Sequence, residues 1–282
     1  MIVFLDGQFL PAEEAQVSIF DRSFLYGDGL FETVPVFAGR AFRLERHWDR
    51  LMQGAAYLGI ALPWSLSAIA SAIGVLAERN QMPTAVARIT LSRGIGPRGY
   101  SPRGAKHPRL AISWHPLPEG AGRELAQWSV VTSSQVVPEG QAGTRYKTAN
   151  KLAAVLATAE AEAAGASEAL VLNSAGRVAE AAAANVFWVA HGCVCTPPLA
   201  EGALDGITRS VVQQLCQTAG IAPQERGVTV AELAGAEGVF LSLSTLGIVE
   251  VCRMAGRDLS RAPVVGELWR RYWDLVQSET GS

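Results

Sequence analysis

Apolar and polar positions along the chain follow the periods of two and about 3.6 residues that mark strands and helices. In the first part they predict strands over 2–5, 31–37, 86–92 and 110–114, and helices over 44–58 and 66–78. In the second part they predict strands over 128–132, 170–172, 186–189, 193–195, 239–243 and 248–252, and helices over 149–164, 207–219 and 264–277. The pattern predicts an α/β protein, with a hairpin turn at 173–176 and a frayed end over 278–282.

A stretch rich in Pro and Gly, 116–122, interrupts this alternation and is typical of a connection between domains. We therefore predict a small N-terminal α/β domain over 1–116, a connection over 117–125 and a larger C-terminal domain over 126–282. At 282 residues, the chain is long enough for two modest cores.

Composition narrows the class of partner. The formal net charge of −2 gives no basic surface for nucleic acid or for an anionic membrane, so a small metabolite is the expected partner. Residues 1–7 lack a basic leader, and no run of apolar residues is long enough to span a membrane. We expect a cytoplasmic protein.

The cysteines give no sign of a metal site or a disulfide framework. Cys193, Cys195, Cys216 and Cys252 form no CxxC pair, and the first two alternate along a predicted strand. We interpret all four as small buried apolar side chains and predict no metal.

The lysines are scarce. Of 24 lysines and arginines only Lys106, Lys147 and Lys151 are lysines, so arginine has been used nearly everywhere that a positive charge is needed. Arginine stays protonated in proteins, whereas a lysine amine can lose its proton and attack a carbonyl carbon. Lys147 and Lys151 are therefore candidate nucleophiles, although chance survival of two solvated lysines is the alternative.

Two segments carry a specific resemblance. Residues 146–152, Tyr-Lys-Thr-Ala-Asn-Lys-Leu, enter a predicted helix, and residues 177–188, Arg-Val-Ala-Glu-Ala-Ala-Ala-Ala-Asn-Val-Phe-Trp, follow about thirty residues later. In this order and spacing they resemble the core of the class-IV aminotransferases, the fold type IV enzymes that use pyridoxal 5′-phosphate (PLP). Branched-chain aminotransferases, D-amino-acid transaminases and aminodeoxychorismate lyases belong to that family. The resemblance implies a smaller N-terminal α/β domain and a larger C-terminal pseudo-barrel domain.

The same resemblance implies roles for individual residues. Lys147 would form the Schiff base with PLP, with Lys151 as the rival, and Glu180 would face the pyridine nitrogen, where a carboxylate keeps the ring protonated. The phosphate would be held at the start of the helix that begins near residue 207, where N–H groups and the helix dipole favour an anion. The residues implied for the phosphate are Ile207, Thr208, Ser244, Thr245 and Arg50.

The front of the chain bears on the substrate. Residues 20–33 resemble the family's opening signature, ahead of a strand that lines the substrate pocket. The resemblance implies substrate contacts from Phe31, Thr33, Arg88 and Arg98. It also implies a homodimer, to which the apolar side chains between 20 and 31 could contribute, although a core role for them is equally open.

The exact reaction stays open between two members of the family. Several segments look like aminodeoxychorismate lyase, which releases pyruvate and 4-aminobenzoate. Pro35, however, stands where lyases and branched-chain aminotransferases usually have an arginine, and Tyr100 replaces the histidine of D-amino-acid transaminases. We place an aminotransferase acting on a branched-chain or D-amino acid and a 2-oxo acid first, and the lyase second.

Other classes fit the sequence less well. A Rossmann-type dehydrogenase needs a helix after its glycine-rich turn, but Pro97 and Arg98 follow Gly94-Ile95-Gly96. No Gly-x-Ser-x-Gly nucleophile elbow is present for a serine hydrolase. A binding protein without catalytic activity on the same scaffold is the remaining alternative.

Overall fold

The computed structural model describes all residues, 1–282, and confirms the mixed α/β class, with two sheets and seven α-helices. The chain divides into two compact units. The first contains Met1–Pro118, Tyr146–Lys151 and Val276–Ser282, and the second contains Glu119–Arg145 and Leu152–Leu275.

The first unit is built on a six-stranded sheet in the order β2-β1-β6-β5-β3-β4, in which every pairing is antiparallel. Its strands are β1 (Ile2–Leu5), β2 (Gln8–Pro11), β3 (Gly29–Phe37), β4 (Arg40–Ala41), β5 (Ala85–Ser92) and β6 (Arg109–His115). Its helices are α1 (Arg22–Tyr26), α2 (Leu44–Leu58) and α3 (Leu66–Arg79). Apolar residues at helical spacing, such as Leu51, Ala55, Ile69 and Ile73, bury one face of α2 and of α3 in the core of this unit.

The second unit is built on a nine-stranded mixed sheet. Its main path is β12-β11-β10-β13-β14-β7-β8-β9, and β15 pairs with β14. Its strands are β7 (Gln127–Val137), β8 (Glu168–Asn173), β9 (Val178–Ala181), β10 (Asn185–Ala190), β11 (Cys193–Thr196), β12 (Pro223–Glu225), β13 (Gly238–Leu243), β14 (Gly247–Met254) and β15 (Arg257–Asp258). Its helices are α4 (Leu152–Ala163), α5 (Ile207–Thr218), α6 (Val230–Ala234) and α7 (Pro263–Thr280), although the residues of α7 from Val276 onward belong to the first unit.

The long predicted strands and helices are confirmed, but the start predicted for α4 is wrong. The helix begins at Leu152, three residues later than expected, so Lys147 and Lys151 both precede it. The cause is backbone pairing with β3. The N–H of Ala149 donates to Gly29 O at 2.9 Å, and the N–H of Phe31 donates to Lys147 O at 2.9 Å. Residues held in this extended pairing cannot also form a helical turn.

The prediction of a frayed end is wrong for residues 278–280. Helix α7 continues to Thr280, whose hydroxyl donates to Val276 O at 2.7 Å and whose side chain is buried.

The boundary between the units, after Pro118, falls within the predicted connection of 117–125. Two short segments that the sequence placed in the second domain belong to the first unit, Tyr146–Lys151 and Val276–Ser282. The pairing of residues 147–149 with β3 explains the first of them.

The apolar front segment has a mixed fate. Phe20, Phe24 and Leu25 are exposed, whereas Phe31 is buried. Asp21 caps α1 by accepting the N–H of Ser23 at 2.8 Å. No helix in the structure is both long enough and apolar enough to cross a membrane.

Gly94 tests the packing of the loop between β5 and β6. Its φ is +87°, and a Cβ there would lie 1.9 Å from the carbonyl oxygen of His107. We expect Gly94→Ala to lower the free energy of unfolding by at least about 3 kcal/mol, from backbone strain together with the collision. Gly7→Ala is the control, because Gly7 has a similar φ of +95° with open space around it. The control should lose roughly 1–2 kcal/mol in urea unfolding. Equal losses in the two variants would contradict the packing described here.

Candidate active site

Lys147 is fixed by the edge of β3. Strand β4 covers that edge only at Val36 and Phe37, and residues 147–149 pair with it farther back, through a bridge between Leu30 and Thr148. The two backbone hydrogen bonds on either side of this bridge set the direction of the Lys147 side chain. A lysine on a pairing segment is held more firmly than one at a fraying helix start.

The Phe31 ring gathers cations. Lys147 Nζ lies 4.7 Å from the ring centroid, Arg88 Cζ lies 3.9 Å from it, and Lys151 Nζ lies 6.0 Å from it. Such distances allow a cation to interact with the face of the ring. The structure therefore brings together three residues that the sequence singled out as Schiff-base, rival and substrate-contact residues.

Arg88 is the unmatched charge of this group. It is half-buried, and burial lowers the pKa of its guanidinium. It forms no ion pair and no side-chain hydrogen bond, only the contact with Phe31. Thr33 lies opposite Arg88 in the β3–β5 pairing, so both side chains project from the same face of the sheet. A half-buried cation without an acidic partner favours binding of an anion there.

Arg98 is not part of this group. It is exposed, on the loop between β5 and β6, and no contact joins it to Phe31. Arg22 and Tyr26, which sequence reasoning did not single out, hold this loop. Arg22 donates to Gly99 O at 2.9 Å and to Tyr100 O at 3.2 Å, and the Tyr26 hydroxyl accepts the N–H of Gly99 at 3.0 Å.

Asp28 anchors the buried Arg22 from below. Nε of Arg22 donates to Asp28 at 2.8 Å, and Nε of Arg93 donates to the same carboxylate at 2.7 Å. Burial alone would raise the pKa of Asp28, but Arg93 and Arg22 hold it below its ordinary value. The motif Asp21-Arg22 followed by Asp28 was the only sequence signal for this arrangement.

Arg50 belongs to a buried triad with Glu32 and His47. Nε and Nη2 of Arg50 donate to the two carboxylate oxygens of Glu32 at 2.8 and 2.7 Å, and Nδ1 of His47 donates to Oε2 at 2.7 Å. Burial opposes ionisation of Glu32, but the charge of Arg50 and the bonds from both partners lower its pKa to about 2. A guanidinium has more N–H donors than this pairing uses, so the pair orients Arg50 without exhausting it.

His47 stays neutral within the triad. Burial lowers its pKa below 6.5 despite the opposing effect of Glu32, and the charges of Arg50 and Lys147 lower it further. Lys147 is therefore close enough to this triad for its charge to act on it.

In the second unit, Glu180 lies on β9 and accepts the backbone N–H of Leu204 at 2.9 Å. Asn185 donates from Nδ2 to the carbonyl oxygen of the same residue at 2.9 Å. A Cβ on Gly206 would lie 1.9 Å from Asn185 Oδ1, so only glycine fits there. Glu180 and the segment that leads into α5 are thus joined through Leu204.

The N-terminus of α5 carries the predicted phosphate residues Ile207 and Thr208. Its N-cap is Gly206, and no side chain caps the first N–H groups. The helix has no acidic residue in its first turn, so its dipole and its N–H groups favour an anion. Ser244 and Thr245 lie half-buried between β13 and β14.

A buried carboxyl group supports the turn that follows Glu180. Glu168 accepts the N–H groups of Ala169 at 2.8 Å and of Ala183 at 3.3 Å. Burial raises its pKa although these bonds oppose the rise. No sequence motif distinguished this glutamate.

Similar proteins agree with this arrangement. A sequence profile described as amino-transferase class IV matches residues 29–254. A Methanocaldococcus jannaschii protein with a provisional branched-chain-amino-acid aminotransferase name is 32% identical over 96% of this chain and 93% of its own length. D-alanine aminotransferase of Bacillus licheniformis is 29% identical, over 93% of this chain and 92% of its own. Aminodeoxychorismate lyase of Vibrio harveyi is 30% identical, over 92% of this chain and 94% of its own.

Solved structures share the fold. The branched-chain aminotransferase of Thermoproteus uzoniensis, solved with norvaline, superposes with a TM-score of 0.92 at 27% identity, covering 99% of this chain and 95% of that one. Another branched-chain aminotransferase, from T.th. and complexed with N-(5′-phosphopyridoxyl)-L-glutamate, superposes with a TM-score of 0.89 at 26% identity, covering 99% of this chain and 94% of that one. With a profile that matches most of its length and relatives aligned nearly end to end, the chain belongs to the class IV aminotransferase family of enzymes.

Proposed function

We propose that the chain is a PLP-dependent aminotransferase that moves an amino group between an amino acid and a 2-oxo acid. The observation that carries the proposal is the Lys147 amine, held 4.7 Å from the Phe31 ring beside the unmatched charge of Arg88. One relative of the same family was solved with a phosphopyridoxyl amino acid bound.

The residues present fit PLP. The cofactor requires an amine for its aldehyde, a carboxylate for its pyridine nitrogen and donors for its phosphate. Lys147 and Glu180 meet the first two requirements, and the uncapped N-terminus of α5 meets the third. In addition, the buried hydroxyl of Ser242 on β13 has no hydrogen-bond partner in the protein.

When bound, PLP supplies an electron sink for the electron pair left as the substrate Cα loses its proton. The Lys147 amine forms the covalent link to the cofactor aldehyde, with loss of water. Once the incoming amino group has displaced it, the freed amine carries a proton between the substrate Cα and C4′ of the cofactor. The backbone pairing of residues 147–149 keeps that amine in place through both tasks.

Glu180 accepts a hydrogen bond from the pyridine nitrogen and keeps that nitrogen protonated. The N–H of Leu204 orients one of its carboxylate oxygens, and Asn185 fixes Leu204 from the other side.

The phosphate is bound by the amides of Ile207 and Thr208, the Thr208 hydroxyl, Ser244, Thr245 and Arg50. Arg50 is suited to this because Glu32 orients its guanidinium in a bidentate pair. Neutral His47 completes the hydrogen bonding of Glu32 without adding a competing charge.

Substrate contacts come from Phe31, Thr33, Arg88 and Arg98. Arg88 supplies the charge for a substrate carboxylate, and Phe31 supplies an apolar surface. Arg98 acts from the loop that Arg22 and Tyr26 hold.

The second candidate is aminodeoxychorismate lyase, supported by the relative in Vibrio harveyi. Both reactions begin with removal of the same Cα proton, so Lys147 does not separate them. Pro35 favours the aminotransferase. It is buried in β3 opposite Val86, and it offers no cation for a second carboxylate.

A second copy of the chain is the proposed partner of the front segment. Five apolar side chains within residues 17–25 are exposed, and such a concentration is typical of an interface. They are Val17, Ile19, Phe20, Phe24 and Leu25.

The reaction itself is the first test. With PLP, the protein should transfer amino groups from a panel of L- and D-amino acids to 2-oxo acids, and should release little pyruvate or 4-aminobenzoate from aminodeoxychorismate. Lys147→Ala should lose roughly 10²- to 10⁴-fold in rate, whereas the control Lys151→Ala should keep most of the activity. Rapid release of pyruvate and 4-aminobenzoate without transamination would establish the lyase instead. Failure to bind PLP would refute both.

The triad predicts a pH dependence of stability. His47 has a lowered pKa in the folded protein, so the unfolded chain binds its proton first. The free energy of unfolding should therefore fall as pH drops below about 6.5, by up to about 1.4 kcal/mol per pH unit from this residue. Glu32, with its pKa of about 2, contributes to the slope only below its ordinary value of 4.5.

Urea unfolding at pH 5, 6, 7 and 8 measures this slope. His47→Gln should flatten it, because glutamine can still donate to Glu32 but does not titrate. His191→Gln is the control, since His191 is exposed. An unchanged slope in His47→Gln would show that the residue is not buried as a neutral base.

The proposed dimer is tested by mass in solution. Light scattering should give a dimer for the wild type and a monomer for Phe24→Asp, because a buried carboxylate without a partner opposes association. Val136→Asp, at another exposed apolar residue, should remain a dimer. A monomeric wild type, or a dimeric Phe24→Asp protein, would contradict this interface.

A further inference from the structure

Ser242 is a buried hydroxyl for which the protein provides no partner. It lies on β13 with 2% of its surface exposed, and its Oγ accepts and donates no hydrogen bond within the chain. Burying such a group without a partner costs free energy, and folded proteins rarely leave one in that state. The hydroxyl is therefore a candidate for binding something from outside the chain.

The direction of this side chain follows from the sheet. Ser242 lies directly opposite Asn185 in the antiparallel β10–β13 pair, so the two side chains project from the same face. Asn185 on that face bonds to Leu204 O and leaves no room for a Cβ on Gly206, the N-cap of α5. Helix α5 packs against β13. The Ser242 hydroxyl thus lies on the side of the sheet where α5 begins.

The start of α5 provides the complementary chemistry. Its N-cap contributes no side chain, its first turn carries no acid, and Thr208 within that turn is buried. An anion bound to the first N–H groups would meet the positive end of the dipole from one side and the Ser242 face of the sheet from the other. Asp205, next to Gly206 in sequence, is exposed to solvent.

We propose that Ser242 is a further cofactor-binding residue, whose Oγ–H donates to an oxygen of a phosphate group at the N-terminus of α5. This inference rests on the proposed function, because the 5′-phosphate of PLP is the phosphate that the site would hold. The family resemblance supplied Ser244 and Thr245 for this task; Ser242 enters through its burial and its missing partner alone.

The proposal has a consequence that a structural hydroxyl would not share. Without ligand, the hydroxyl opposes stability, so Ser242→Ala should leave the apoprotein as stable as the wild type or more stable. With ligand, the same change removes a hydrogen bond to a charged oxygen. The two effects have opposite signs.

The experiment measures the melting temperature of the full-length apoprotein and its dissociation constants for PLP, for inorganic phosphate and for pyridoxal, which lacks the phosphate. Ser242→Ala should weaken PLP and inorganic phosphate roughly 10- to 100-fold. It should leave pyridoxal unchanged and should not lower the melting temperature. The control is Thr196→Val, because the buried Thr196 hydroxyl already donates to Val186 O at 2.8 Å. That variant should melt at a lower temperature and bind PLP like the wild type.

Two results would overturn the proposal. One is unchanged affinity of Ser242→Ala for PLP and phosphate. The other is an equal loss for all three ligands together with a lower melting temperature, which would show a structural role. The arms also separate this inference from the proposed function. If Ser242→Ala weakens inorganic phosphate but PLP never gains the absorption of a lysine-linked cofactor in the wild type, the phosphate site stands and the proposed function fails.

Discussion

The pairing of residues 147–149 with the free edge of β3 is the constraint on which the site in the first unit depends. It takes the backbone groups that would otherwise begin α4, and it sets Lys147 against the Phe31 ring. Phe31 in turn lies on the strand that carries Glu32 on its other face, so one strand orders both the lysine and the arginine triad. A slip of one residue in this register would exchange the two faces.

Charge matching then distinguishes supporting arginines from the one left for a ligand. In the first unit Arg22 and Arg93 share Asp28, and Arg50 is paired with Glu32. Arg88 is half-buried and has no acid. The second unit uses peptide groups instead, since Leu204 links Glu180 to Asn185 and Gly206 opens α5 without a cap. Both arrangements leave positive potential for an anion while the protein's own carboxylates are already neutralised.

Sequence reasoning predicted most long strands and helices because their apolar periods are strong, and it found Lys147 through the scarcity of lysine. It missed the start of α4, because the competing partner of residues 147–149 is more than a hundred residues away in sequence. The short helix α6 had a readable signal in the capping box of Thr229 and Glu232, but five residues are too few for an apolar period to show. Ser242 and Glu168 had none, since a hydroxyl without a partner and a buried carboxyl are properties of packing.

The central claim is that Lys147 carries the cofactor. Incubation with PLP, reduction with borohydride and peptide mass mapping would test it most directly, because reduction makes the link between amine and cofactor permanent. The account predicts one phosphopyridoxyl group per chain, on Lys147. Labelling of Lys151 or Lys106 instead, or no labelling at all, would contradict it.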